Sequence, residues 1–243
     1  MRDHESGFGI RDMLVNVVFP RRCPVCDDIV PMGEGLICNR CRTKPQYITE
    51  PRCRRCGKQL MGDSREFCHD CMQRRHVYDY GYALYDYQSM KKSIYRFKYR
   101  KRCEYAAFYA KDIYERLSNE IELMGADSII PIPVHTARKR SRGYNQAELV
   151  AAELSRLTGI AMHEKLVKRV RKTVPQKELT TQERQNNLKK AFNISTNVVK
   201  LNKVILVDDI YTTGSTVDAV AMELKRHGVK SVYFIALCIG EGM

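Results

Sequence analysis

The chain has 243 residues, enough for one or two domains of ordinary size and for at least one buried core. Hydrophobic residues make up 44% and charged residues 29%, which excludes a disordered chain, and no apolar run approaches the ~18 residues of a membrane-spanning helix. The formal net charge is +14 and there are ten cysteines, and both numbers ask for an explanation.

Ile10, Met13, Leu14, Val17 and Val18 recur at helical spacing and predict a short amphipathic helix inside a tail covering residues 1–19. Its polar face carries one Arg and one Asp rather than a basic band, so membrane insertion is not expected. The apolar stretch Met13 to Phe19 is too short for a membrane-spanning helix and lacks the small-residue cleavage site of a signal peptide. A reducing, cytoplasmic location is therefore expected, and the cysteines need a use other than disulfides.

Eight cysteines form four C-x-x-C pairs: Cys23/Cys26, Cys38/Cys41, Cys53/Cys56 and Cys68/Cys71, with eleven residues between successive pairs. A C-x-x-C turn presents two sulfurs to one centre, and two such turns suit tetrahedral Zn²⁺. Even spacing leaves the pairing ambiguous, but the flanks repeat with a period of 30. Pro and Arg precede Cys23 and Cys53, and an apolar residue precedes Cys38 and Cys68. This favours two zinc ribbons in tandem over residues 20–75, each closing its own structural site, with a cross-braced pairing as the alternative. Units this small are expected to draw their folding free energy from the metal. Metal removal is expected to unfold them without harming the rest of the chain. Basic residues around the knuckles admit nucleic-acid contact, but a structural role is favoured because charge alone is a weak signal. Cys103 and Cys238 stand alone and are not expected to bind metal.

From about Val77 strand-like and helix-like segments alternate, which predicts a mostly parallel α/β sheet with helices on both faces. Tyr78, Tyr80, Tyr82, Tyr85 and Tyr87 are spaced as on a strand, which packing explains as well as base stacking does. Residues 88–102 hold seven basic side chains and no acid, and Met90, Ile94 and Phe97 give that segment one apolar face. An amphipathic helix with a cationic outer side is expected there, a candidate surface for single-stranded DNA.

The most specific motif runs from Val204 to Thr216, VILVDDIYTTGST. An apolar strand delivers Asp208 and Asp209, and a hydroxyl-rich turn then opens a helix. Backbone N–H groups at that helix start, with Thr212, Thr213, Ser215 and Thr216, predict a phosphate cradle, and Gly214 lets the backbone approach closely. The carboxylates would repel that phosphate and suit sugar hydroxyls instead, so the constellation asks for a ribose 5-phosphate.

These thirteen residues resemble the phosphoribosyl-pyrophosphate (PRPP) signature of type I phosphoribosyltransferases. A narrower resemblance, to the ComF family with its ComFC-like and GntX-like members, rests on several segments. They are Phe19-Pro20 leading into cysteine knuckles, Phe97-Lys98-Tyr99, Ile130 to His135, Arg142-Gly143-Tyr144-Asn145-Gln146, and Arg171 through Gln176, Leu179, Arg184 and Asn187 to Phe192. It spans about residues 10 to 239. It implies zinc ribbons joined to a phosphoribosyltransferase-like domain over residues 76–243, PRPP with Mg²⁺ as ligand, and a link to DNA uptake and other competence proteins. By position, Arg138, Arg142, Gly143, Asn145 and Gln146 are then the candidate pyrophosphate loop. The polar, basic segment Lys168 to Lys190, with Arg169, Arg171, Gln176 and Arg184, corresponds to the flexible loop that closes over the reaction centre. The sequence names no acceptor and no general base. Any hood over the acceptor is expected from the N-terminal side, and a PRPP-sensing, DNA-binding module without catalysis is the alternative reading.

Overall fold

The computed structural model describes residues 20–62, 65–170, 191–195 and 201–240. The predicted tail helix and the loop residues Arg171, Gln176 and Arg184 lie outside them.

Four parallel strands form the central sheet: β1 (Tyr80–Asp86), β2 (Ser128–Pro131), β5 (Lys203–Tyr211) and β6 (Ser231–Ile239), in the order β1-β6-β5-β2. Two three-residue strands, β3 (Val167–Arg169) and β4 (Phe192–Ile194), pair antiparallel beside it. The helices are α1 (His69–Gln73), α2 (Tyr87–Tyr99), α3 (Tyr105–Met124), α4 (Thr136–Arg142), α5 (Gln146–Thr158) and α6 (Ser215–Arg226).

β5 is the central strand, and the period-2 alternation of strand side chains splits its residues between two cores. Val204 and Leu206 face a core built with α6, the β3–β4 pair and the second cysteine cluster. Ile205 and Val207 face the core of α2, α3 and α5. All four are fully buried, as a strand covered on both faces requires. The alternation shifts near the carboxyl end. Tyr211 and Ile239 lie on the ribbon side, whereas Ile210 and Cys238 pack on the other.

Cys23, Cys26, Cys38 and Cys41 gather at one point, and Cys53, Cys56, Cys68 and Cys71 at another, with the sulfurs of each set all within 4.8 Å of one another. The sequential pairing holds and the cross-braced one does not. A Zn–S bond of about 2.3 Å places tetrahedral sulfurs about 3.8 Å apart. The Cys26–Cys38 and Cys56–Cys68 separations of 3.8 and 3.6 Å fit that geometry. The eight thiols therefore form two zinc-ribbon clusters of structural type, with four sulfurs each.

The two ribbons dock differently. The first forms its own small core. It is held to the α2–α3 junction by Asp27, which accepts hydrogen bonds from Tyr105 Oη (2.6 Å) and Arg102 (3.0 Å). The second is continuous with the sheet. Cys53, Cys56 and Cys68 belong to the same buried cluster as Tyr211, Val217 and Phe234, and Gly81 N–H donates to Arg55 O at 3.0 Å. Between the ribbons, residues 46–48 run antiparallel along the outer edge of β1, with Ile48 N–H donating to Leu84 O and Asp86 N–H to Gln46 O. The clean separation of cysteine half and sheet half expected from the sequence thus fails for the second ribbon.

Candidate functional site

Parallel sheets bind ligands beyond the carboxyl ends of their strands, where β5 delivers Asp208 and Asp209. Adjacent residues on a strand point to opposite faces, and the two carboxylates part accordingly. Asp209 turns to the α2 side, where Lys98 Nζ stands 2.8 Å from Oδ1 with both side chains mostly buried. Asp208 turns to the other side, within electrostatic reach of Arg169. Burial foremost, then the Asp209 charge, pushes the Asp208 carboxyl up to about 7, against the pull of Asp209 N–H, Lys98 and Arg169. Arg169, at the end of β3, is in turn lowered by burial and by the charge of Arg138, while Asp208 opposes the shift. Two cations from two elements, Lys98 and Arg169, thus reach the carboxylate pair, with Arg138 within electrostatic reach of Arg169.

β5 runs through the acids as far as Tyr211, and Thr212 to Gly214 make the turn into α6. Gly214 sits at φ +72° as the helix N-cap, and an added Cβ would lie 2.6 Å from Tyr211 Oη and 3.0 Å from His76 Cε1. Both the backbone conformation and the space exclude a side chain there. Thr213 Oγ1 and Ser215 Oγ are 2.9 Å apart. Residues Asp208 and Ile210 to Val217 line a small cleft with about 210 Å³ of empty space, part of it open to solvent.

The segment after β2 departs from the expected loop. Residues 136–142 are helical, with His135 as N-cap accepting from Ala137 N–H (3.2 Å) and Gly143 closing the helix at φ +90°. Ala, Lys and Arg are strong helix formers, and Gly143 is the terminator they need. α4 carries Arg138 at the same sheet end as the acids. Arg142 lies over the Tyr99 ring at 4.9 Å and donates to Gln146 Oε1 (3.0 Å) and Tyr99 Oη (3.2 Å). Asn145 and Gln146 are buried. Asn145 Nδ2 donates to Ile132 O and Gln146 Nε2 to Phe97 O. Gln146 braces Arg142 and the end of α2 from inside, and Asn145 braces the segment after β2.

Sequence reasoning assigned Lys98 to the cationic outer side of α2, and the structure turns it inward onto Asp209. Its place within Phe97-Lys98-Tyr99 was the available signal. Lys91, Lys92 and Arg100 of that segment do face outward. Tyr95 and Tyr99 are more than half exposed with ring centroids 5.1 Å apart. With Lys91, Lys92, Arg96 and Arg100 they line a groove of about 1810 Å³, open to solvent, that reaches Ile210 beside the acid pair. Among the described residues, no helix is long and apolar enough to cross a membrane.

Comparison with known proteins follows the same division. A double zinc ribbon domain matches residues 14–72, and a phosphoribosyl transferase domain matches residues 140–242. Competence protein F of Haemophilus influenzae is 30% identical over 222 residues, covering 88% of this chain and 95% of that one. The chain belongs to the ComF family. The DNA utilization protein YhgH of Salmonella typhimurium is 31% identical over 226 residues, covering 90% of this chain and 97% of the relative. Competence protein ComFC of Bacillus subtilis is 28% identical over 208 residues, 79% of each chain. In this ComF protein the matched transferase segment holds α5, β3, β4, β5, α6 and β6, while β1 and β2 complete the sheet, and α2 and α3 pack on it, from outside the match.

Proposed function

We propose that this ComF protein binds PRPP with Mg²⁺ and transfers its phosphoribosyl group to a nitrogen acceptor, releasing pyrophosphate. The observation that carries this reading is the junction of β5 and α6. Two carboxylates on opposite faces of one strand end stand next to a turn that closes around Gly214 at a helix N-terminus. In the proposed arrangement the turn 212–216 takes the 5-phosphate, and Asp208 and Asp209 accept from the ribose hydroxyls. Arg138, Arg169 and Lys98 lie on the side of the leaving pyrophosphate. The bond from C1 to the pyrophosphate oxygen breaks with its electron pair on the pyrophosphate, and the acceptor nitrogen forms the new bond to C1 and then loses its proton. Positive charge builds on the ribose ring as the leaving group gains negative charge. Preorganised cations and a carboxylate pair stabilise both ends of that separation. Mg²⁺ bound to PRPP would add Lewis-acid stabilisation of the leaving oxygens.

Calorimetry of PRPP with Mg²⁺ against wild type and the Asp208→Asn/Asp209→Asn variant tests the binding step. At least a tenfold loss is expected, and equal affinities would sink the reading. A screen of nucleobases and small amines for PRPP-dependent pyrophosphate release tests the chemistry.

A second reading rests on the outer face of α2. Two exposed tyrosines amid cations, with no acid on the helix, suit a single-stranded nucleic acid, bases on rings and phosphates on Lys and Arg. The names of the relatives, competence and DNA utilization, point the same way. Absent pyrophosphate release, with PRPP still bound and a single-stranded oligonucleotide bound as well, would favour this reading of a PRPP-responsive DNA-binding module.

A further inference from the structure

The phosphate turn is anchored from below by residues that arrive from the second cysteine cluster. Asp218, in the first turn of α6, has both carboxylate oxygens engaged by the chain that links the last knuckle to β1. His76 Nδ1 lies 2.8 Å from Oδ2, and Val77 N–H donates to Oδ1 at 2.7 Å. These partners are more than 140 residues apart in sequence. The His76 side chain is 2% exposed and stacks on Tyr78, with ring centroids 4.7 Å apart. Tyr78 Oη is 2.6 Å from Tyr211 Oη, and Tyr211 lies flat on Phe234 at 4.7 Å. His76 Cε1 and Tyr211 Oη fill the space that a side chain on Gly214 would need. The same buried cluster contains Tyr78 and Tyr211 together with Cys53, Cys56 and Cys68. The first cluster has no such link to the turn: Val25, Leu36 and Ile37 pack on the opposite face of the sheet, against the core of α2 and α3, and Asp27 bonds the α2–α3 junction.

We infer that His76 and Asp218 are positioning residues that tie the phosphate turn to the second four-cysteine site, so that this site, and not the first, sets the turn's affinity for a phosphate monoester. The inference rests on reading the turn as a phosphate site. Its physical ground is that a helix N-terminus binds an anion through N–H groups whose directions are fixed beforehand. A turn hinged on a positive-φ glycine keeps those directions only while what lies beneath it stays in place. Asp218 also matters for charge. An acid in that first turn disfavours a bound phosphate, and hydrogen bonds from His76 and Val77 hold its carboxylate against the linker.

The test uses the full chain and two probes: ribose 5-phosphate, which needs the turn, and inorganic pyrophosphate with Mg²⁺, which does not. His76→Ala should weaken ribose 5-phosphate about tenfold, as expected for loss of a hydrogen bond to a charged group. It should leave pyrophosphate affinity and the metal content unchanged. His76→Asn, which keeps a donor near the Nδ1 position, should recover most of the loss, and His76→Gln should not. Cys71→Ser should reproduce the His76→Ala effect, and Asp27→Ala, which loosens only the first ribbon, should not. Amide hydrogen exchange across residues 212–218 reads the same strut without any ligand. It should quicken in His76→Ala and Cys71→Ser alone. Unchanged exchange and unchanged ribose 5-phosphate affinity in His76→Ala would overturn the inference. So would equal losses in Cys71→Ser and Asp27→Ala. A wild type that binds no ribose 5-phosphate but shows the exchange pattern would refute the phosphate reading and leave the strut standing.

Discussion

Lys98 Nζ stands 2.8 Å from Asp209 Oδ1, so the carboxylate proposed to meet a ribose hydroxyl is already held by a cation from another helix. The pair fixes the Asp209 rotamer and brings positive charge to where a leaving pyrophosphate would lie. Lys98→Met should therefore lower PRPP affinity by at least tenfold and ribose 5-phosphate affinity by much less. A stability loss of about 1–3 kcal/mol should accompany it, because a partly buried carboxylate loses its partner. Parallel calorimetry of the two ligands checks the ratio, and equal losses would place Lys98 away from the pyrophosphate.

Asp208 should make both ligand binding and stability depend on pH, with opposite signs. Its carboxyl is pushed up to about 7 by burial and by Asp209. PRPP affinity should rise as pH increases from 6 to 8, since the ionised form accepts hydrogen bonds from ribose. The folded state binds a proton that the unfolded state releases near pH 4, so stability falls as pH rises from about 4 to about 7. Asp208→Asn should remove both trends. It should also raise the melting temperature at pH 8 by about 2–4 °C for each kcal/mol recovered. A variant no more stable at pH 8 than wild type would contradict the assignment.

Gly214→Ala should abolish ribose 5-phosphate binding while two metal ions per chain remain. The new Cβ meets Tyr211 Oη at 2.6 Å and is held at a φ that L-residues disfavour. Elemental analysis beside calorimetry separates this local effect from unfolding. Retained binding would show that the turn is not the phosphate site.

The outer face of α2 predicts a salt-sensitive interaction with single-stranded DNA. Tyr95→Ala/Tyr99→Ala should weaken an oligonucleotide by about 1–3 kcal/mol per stacked base, with little change in salt slope. Lys91→Ala/Lys92→Ala should reduce the slope of log K against log salt by about 0.7 per lost contact. Fluorescence anisotropy at several salt concentrations distinguishes the two, and indifference to all four changes would remove α2 as the track.

What the sequence made legible was local. The cysteine sets close within 20 residues of chain, and VILVDDIYTTGST is one strand, one turn and one helix start, so spacing alone carried both. What it hid was which way things face. Lys98 lies one residue beyond Phe97, at the border between the apolar and cationic faces of α2, and the place of Asp209 turns it inward. Arg138 to Arg142 read as a loop because their charge masked good helix propensity. The His76–Asp218 contact joins residues 142 apart, beyond the reach of any periodicity. The shared core of the second ribbon was hidden for the same reason, since it depends on Gly81 and Arg55 meeting along a strand edge.

That strand edge has a consequence for handling the protein without metal. The outer side of β1 is paired by residues 46–48 and by Arg55, all of which lie in or between the two cysteine clusters. Chelation should therefore do more than unravel two small ribbons. It should bare one long side of Tyr80–Asp86, a seven-residue strand rich in aromatic groups, and bare edges recruit other strands. The apoprotein is then expected to self-associate, with light scattering rising as metal is withdrawn, so that the cysteine clusters guard solubility as well as shape.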